Sequence, residues 1–173
     1  MSIQHSNASS GWGTPPEIIA LVRQVLDSID LDPASSAAAN LVVGAKRYYT
    51  ATDDGIYRPW SGSVFCNPPS GRVGRRSLPL LFWDRLCESI DEGYVTHGIF
   101  LAYSIEQLQT SQSCVCPMLQ FAVCVPSKRI RFLDPSGMLR TSPTHASAIV
   151  YVPGTKDATA TFCRVFRAIG QIT

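Results

Sequence analysis

The apolar run Ser63-Val64-Phe65-Cys66 stops abruptly at Asn67-Pro68-Pro69. Consecutive prolines remove two backbone donors and bias the preceding residue away from the helical region, so neither a helix nor a central strand continues through them. A short buried strand must therefore end at Cys66 and leave Asn67 at the rim of its sheet. Around this fixed point the apolar periodicity alternates. Ile18, Ile19, Leu21, Val22, Val25, Leu26 and Ile29 recur at helical spacing behind a Thr14-Pro15-Pro16-Glu17 start, which predicts a first helix. A strand-like piece, Ile29 to Asp32, ends at Pro33, and a partly helical stretch spans Ala34 to Ala45. A turn is expected at Asp54-Gly55 and a loop of glycine and arginine from Ser70 to Ser77. Beyond it come a helix from Leu78 to Ile90, a strand from His97 to Tyr103 and a helix from Ile105 to Gln112. Leu119 to Val125 and Arg129 to Leu133 read as a hairpin-like pair of strands around Pro126. A strand from Ala146 to Val152 and a terminal helix from Ala158 to Ile169 complete the pattern.

Strands alternating with helices predict an α/β fold, a mostly parallel sheet with helices on both faces. With 173 residues, of which 45% are hydrophobic and 16% charged, the chain affords one core. We expect one domain over residues 14–173 behind a flexible polar leader, residues 1–13. The formal net charge of +2 does not announce a polyanion partner, so any affinity for nucleic acid must come from local basic clusters. The six cysteines sit mostly in apolar runs, where a reduced thiol behaves as a small hydrophobe. No pair has the spacing of a zinc site, and no metal is expected. The start of the chain lacks the pattern of a signal peptide, and no apolar run is long enough to span a bilayer. A cytoplasmic protein is expected.

In α/β sheets ligands gather at the carboxyl ends of the strands, and two of the first three strands end in polar, proline-marked corners. At Asn67-Pro68-Pro69 the side-chain oxygen of Asn67 and the carbonyl of Pro68 can accept both N–H groups of an exocyclic amine. Holding them draws the nitrogen towards tetrahedral geometry and frees its lone pair from ring conjugation, which is positioning with electrostatic complementarity. Taken alone, the tripeptide serves equally well as a turn that ends a strand. At Asp30-Leu31-Asp32-Pro33-Ala34-Ser35, an acidic strand end followed by small residues lets a charged or hydroxyl-bearing ligand approach the backbone. An Asp-Pro turn with an N-cap serine competes with that reading. No glycine-rich loop follows, which weakens a dinucleotide site.

The order Trp12-Gly13-Thr14-Pro15, Asp30-Leu31-Asp32-Pro33-Ala34-Ser35, Asp54-Gly55, Trp60 and Asn67-Pro68-Pro69 resembles the phage-type DNA N6-adenine methyltransferases, the Dam-like family of phages and prophages. Arg129-Ile130-Arg131-Phe132 and Ser142-Pro143-Thr144-His145-Ala146-Ser147 resemble that family's carboxyl-terminal part. The likeness runs from Trp12 to Val152. It implies a Rossmann-like methyltransferase fold, S-adenosylmethionine as methyl donor, DNA as partner and a phage or prophage protein acting inside a bacterial host. It implies a target amine held by Asn67 and Pro68, with Pro69 completing the motif. Asp32 and Pro33 would face the cofactor, with Asp30 assisting and Asp54 a further ribose contact. Trp12, Thr14 and Pro15 would close over it.

The chain departs from the family directly after the prolines, where an aromatic residue that stacks on a flipped base is replaced by Ser70. A stacking partner must come from elsewhere, with Trp83, Tyr103 and Phe82 as donors. Arg72, Arg75 and Arg76 on the following loop suit the phosphates that flank a flipped base, or form a solvated loop. Arg129 and Arg131, alternating with Ile130 and Phe132, suit DNA contact or the polar side of an edge strand. His145 has no nucleophile motif beside it, and a catalytic triad is rejected. Two other readings compete: a methyltransferase for another planar amine (RNA adenine, cytosine N4 or protein glutamine), and a non-catalytic binding module on a methyltransferase fold.

Overall fold

A computed structural model describes residues 12–139 and 144–173. The leader up to residue 11, and Ser142 and Pro143 of the carboxyl-terminal likeness, lie outside the described residues. The chain forms a mixed α/β fold on a seven-stranded sheet. Helix α1 (Pro16–Leu26) opens with proline in its first turn and turns Ile18, Ile19, Val22, Val25 and Leu26 inward. Then follow β1 (Leu31–Asp32), α2 (Ala37–Val43), β2 (Arg47–Tyr48) and β3 (Gly62–Cys66). Ser36 caps α2, accepting from the Ala39 N–H at 3.1 Å. A small hairpin, β4 (Arg72–Val73) and β5 (Arg76–Ser77), leads into α3 (Leu78–Asp91) and the long central strand β6 (Val95–Ala102). The remainder is α4 (Glu106–Thr110), β7 (Ala122–Pro126), β8 (Ala148–Pro153), α5 (Thr159–Phe166) and β9 (Gly170–Ile172).

The strand order is β2-β1-β3-β6-β8-β7-β9. β2, β1, β3 and β6 are parallel, whereas β8 is antiparallel to both β6 and β7, and β9 is antiparallel to β7. β7 therefore points the same way as the parallel strands, and the sheet is mostly parallel by direction. Helices cover both faces, as expected. α1, α2 and α5 pack with Phe65, Ile99, Leu101, Ile149 and Tyr151 on one face. α3, Trp60 and Met118 pack with Val64, Cys66, Phe100 and Val150 on the other. Alternate residues of β3 and β6 thus serve different cores, as the two-residue period of a strand requires. This arrangement is compatible with a Rossmann-like fold.

Two expectations are corrected. Residues 129–133 do not pair with β7, whose two edges are taken by β8 and β9; only Leu133 makes isolated bridges, to Gly13 and to Leu139. The 70–77 segment is a two-stranded hairpin rather than a loop, turned by Gly74 at a φ of 59°. Glycine alone takes that left-handed conformation readily.

Candidate active site

After β1 the chain passes through α2, on the α1 face, to β2; after β3 it passes through α3, on the opposite face, to β6. The connections from β1 and β3 leave in opposite directions. A crevice at the carboxyl ends of these two neighbours is where an open α/β sheet receives ligands. Asp32-Pro33 closes β1 and Asn67-Pro68-Pro69 follows β3, so the two corners singled out in the sequence stand side by side. Leu31 is in register with Val64, and the Cys66 thiol is pushed well up by burial and by the nearby charge of Asp32.

Asn67 is anchored from the amino terminus. Its Nδ2 donates to the Trp12 carbonyl at 3.3 Å and to Thr14 Oγ1 at 3.1 Å. A carbonyl can only accept, so the amide nitrogen must face this strap and Oδ1 must point away from it. The strap is itself held. Gly13 and Leu133 exchange both backbone hydrogen bonds at 2.8 Å, while Thr14 and Pro15 are buried ahead of α1. Trp12 and Gly13 therefore belong to the fold rather than to a leader. Pro68 is buried and Pro69 half-buried.

Asp32 is 3% exposed, and burial lifts its carboxyl from the ordinary 3.8 to about 6, against the opposing Ala34 N–H at 3.2 Å. Ser35 Oγ is close enough to favour the carboxylate, yet it is buried without a partner in hydrogen-bond geometry. A buried carboxylate beside an unused hydroxyl is a site with polar capacity to spare. Pro33 is covered by the Asp54-Gly55 turn. A Cβ on Gly55 would come within 2.1 Å of the Pro33 carbonyl oxygen, so only glycine permits this approach. Asp54 sits on that turn in the left-handed region at a φ of 55°, and Trp60 Nε1 fastens the turn by donating to the Gly55 carbonyl at 2.8 Å.

Asp30 lies elsewhere. It stands at the amino end of β3, paired with Lys46 at 2.7 Å and accepting from the Ser63 N–H at 2.9 Å. Partial burial opposes its ionisation, but Lys46 and the Ser63 donors outweigh that and bring it down to about 2. Its partners give it a structural role remote from the crevice, which corrects its placement beside the cofactor.

The arginines divide by partner. Arg76 is ion-paired with Asp84 of α3, and Arg72 donates to the Arg75 carbonyl at 2.7 Å. Arg72 and Arg75 are exposed on the hairpin that follows Pro69. Arg129 and Arg131, with Lys128, line a groove of about 800 Å³ against Glu17 and Ile18 of α1 and Ile169. Lys128 belongs to no motif in the sequence and joins the two arginines in this groove through the fold. Of the three proposed stacking residues, Trp83 is fully buried, donating to the Cys116 carbonyl at 2.6 Å, and Phe82 is 5% exposed beside Trp60. Both are core residues. Tyr103 is half-buried at the carboxyl end of β6, in edge contact with His145 at 5.7 Å. Gln107, just beyond it, is buried with both amide atoms unpaired, a feature that carries no signal in sequence.

Among the described residues no group of His, Cys, Asp or Glu has the arrangement of a metal site, and no helix is long and apolar enough to cross a membrane. All six cysteines are free. No family model matches the chain, and no curated protein or solved structure matches it at a significant level.

Proposed function

We propose that this protein transfers a methyl group from S-adenosylmethionine to an exocyclic amine, with N6 of adenine in DNA as the acceptor. The observation that carries this reading is the fixed orientation of the Asn67 amide. Trp12 and Thr14 hold its nitrogen, leaving Oδ1 and the Pro68 carbonyl as acceptors at the carboxyl end of β3. Two neutral acceptors suit a nucleophile that loses its proton only as it reacts. They bind the two amine hydrogens, disfavour conjugation of the lone pair with the ring, and stabilise the positive charge that grows on nitrogen.

The chain's residues fit the donor. Asp32 retains acceptor capacity for hydroxyl or ammonium groups, with Ser35 Oγ beside it. The Asp54-Gly55 turn lies against Pro33 at the same corner, and Trp12 and Thr14 hold Asn67 at the neighbouring one. When bound, S-adenosylmethionine supplies an electrophilic methyl group on a positively charged sulfur. Such a sulfonium sits more favourably near the Asp32 carboxylate than in a neutral pocket. Asp32 is ionised above about pH 6, so donor affinity should rise through that value.

Calorimetric titration with S-adenosylmethionine tests the reading. Saturable binding is expected, and Asp32→Ala should lose it. Asn67→Ala should bind the donor normally yet transfer methyl groups to DNA at least about 100-fold more slowly, the scale seen when one preorganised hydrogen-bonding group is removed from a transition-state site. Absence of donor binding in a folded protein, with and without DNA, would overturn the proposal.

A further inference from the structure

Among the described residues few buried side chains leave polar atoms unpaired, and Gln107 is unusual in leaving both ends of a primary amide so. It is 6% exposed. Native folds pair buried polar groups almost without exception, so an orphan amide that survives at a ligand edge points to a partner absent from the free protein. Its position supplies that edge. Cys66 is in register with Phe100, so Asn67 leaves β3 level with Leu101, and the chain leaves β6 two residues further on. β6 ends at Ala102, followed by Tyr103, and the corner is locked by backbone bonding: the Ile105 N–H donates to the Ala146 carbonyl at 2.8 Å and the Gln107 N–H to the Ser104 carbonyl at 3.0 Å. Ser147 Oγ donates to the Tyr103 carbonyl at 3.2 Å. Along the carboxyl edge of the sheet, the Asn67 corner after β3 therefore has the Asp32–Ser35 corner after β1 on one side and the Tyr103–Gln107 corner after β6 on the other.

We infer that Tyr103 and Gln107 recognise the acceptor base, Tyr103 by stacking on its ring and Gln107 by hydrogen bonding to its edge. The inference rests on the methyltransferase reading above. It assigns the β1 side of the crevice to the donor and the β6 side to the nucleobase. It also supplies the stacking residue that Ser70 lacks. A base taken out of a duplex is read by hydrogen bonds to its edge and by stacking between side chains. With both hydrogens of the exocyclic amine taken by Asn67 and Pro68, the Gln107 amide is left to donate from Nε2 to the ring nitrogen beside that amine.

The test uses the purified full chain, labelled S-adenosylmethionine and unmethylated DNA amplified in vitro. Gln107→Leu should raise KM for DNA at least 10-fold while donor binding by calorimetry stays unchanged. It should also melt at a higher temperature than the wild type, because an unpaired buried amide is replaced by an apolar group of similar size. Gln107→Glu, which keeps the size but removes the donor, should share the KM defect. Tyr103→Ala should lose activity, and restoring the ring alone with Tyr103→Phe should rescue it. Unchanged kcat/KM in Gln107→Leu, or a lower melting temperature, would overturn the inference while leaving the methyltransferase reading intact. Wild-type protein that neither binds the donor nor methylates DNA would overturn both.

Discussion

Asp30, just before β1, and Asp32, at its end, stand two residues apart and are shifted in opposite directions. Asp30, with Lys46 and Ser63 for company, is held near 2; Asp32, sealed at the other end, is held near 6. In the unfolded chain both return to about 3.8. Between pH 4 and 6 the native state therefore holds a proton on Asp32 that the unfolded state releases. Stability must fall as pH rises through that window and then level off. The loss due to Asp32 is about 3 kcal/mol, at about 1.36 kcal/mol per tenfold change in proton affinity. Asp30 acts below the window, contributing stability that is lost as pH falls from 3.8 towards 2. Asp32→Asn cannot ionise, so the margin by which it outmelts the wild type should widen from pH 4 to 6 and stay constant above 7. Melting curves across this range check it, and parallel profiles for the two proteins would refute it. The sequence displayed both carboxylates in one acidic strand end. It could not separate them, because their difference lies in Lys46, Ser63 and the burial of Asp32, none of which is a local property.

Elements were legible where the signal is local. α1 and α3 follow from apolar spacing and an N-terminal proline, and β3 from its proline stop. Segment 129–133 misled for a physical reason. Arg129-Ile130-Arg131-Phe132 alternates as a strand does, but a strand also needs a free neighbouring edge, and β9 occupies the one it would have used. β9 is three residues of Gly-Gln-Ile, too short to show a period. The β4–β5 hairpin was hidden similarly, since its order comes from the Gly74 turn and from the Leu78 N–H donating to the Gly71 carbonyl at 2.9 Å. That order bears on function, because a hairpin presents Arg72 and Arg75 in a set direction while Arg76 is tied back to Asp84. Under the proposed function, Arg72→Ala with Arg75→Ala should lower DNA affinity without affecting donor binding. A plot of log affinity against log salt should lose about 0.9 in slope for each phosphate contact removed, so by up to about 2. Arg76→Ala should act chiefly on stability. An unchanged salt slope in the double variant would remove the hairpin from the interface.

For the molecule as a whole, the question is whether two cores behave as one. The α1–α2–α5 core and the α3 core lie on opposite faces of the same sheet, and neighbouring residues of β6 serve both: Ile99 and Leu101 face one, Phe100 and Ala102 the other. Neither core can open without exposing the backbone of strands that the other requires, so the described domain should unfold in a single transition. Its tryptophans make this testable. Trp60 and Trp83 are buried in the α3 core, whereas Phe162 is fully buried in the α5 core, stacked against Tyr151 at 5.5 Å and beside Phe166 at 4.6 Å. Phe162→Ala removes a large side chain from the face without buried tryptophan, at a cost of about 3–5 kcal/mol. Far-ultraviolet dichroism reports the whole fold, and tryptophan fluorescence reports mainly the α3 side. If the sheet couples the faces, Phe162→Ala shifts both urea midpoints down equally, with the slope unchanged. A dichroism midpoint that falls while the fluorescence midpoint stays would show that the faces unfold separately. The crevice between β1 and β3 would then sit on a seam rather than on a rigid edge. Coincident midpoints would instead favour Asp32, Asn67 and Gln107 being held by one body, as a preorganised site requires.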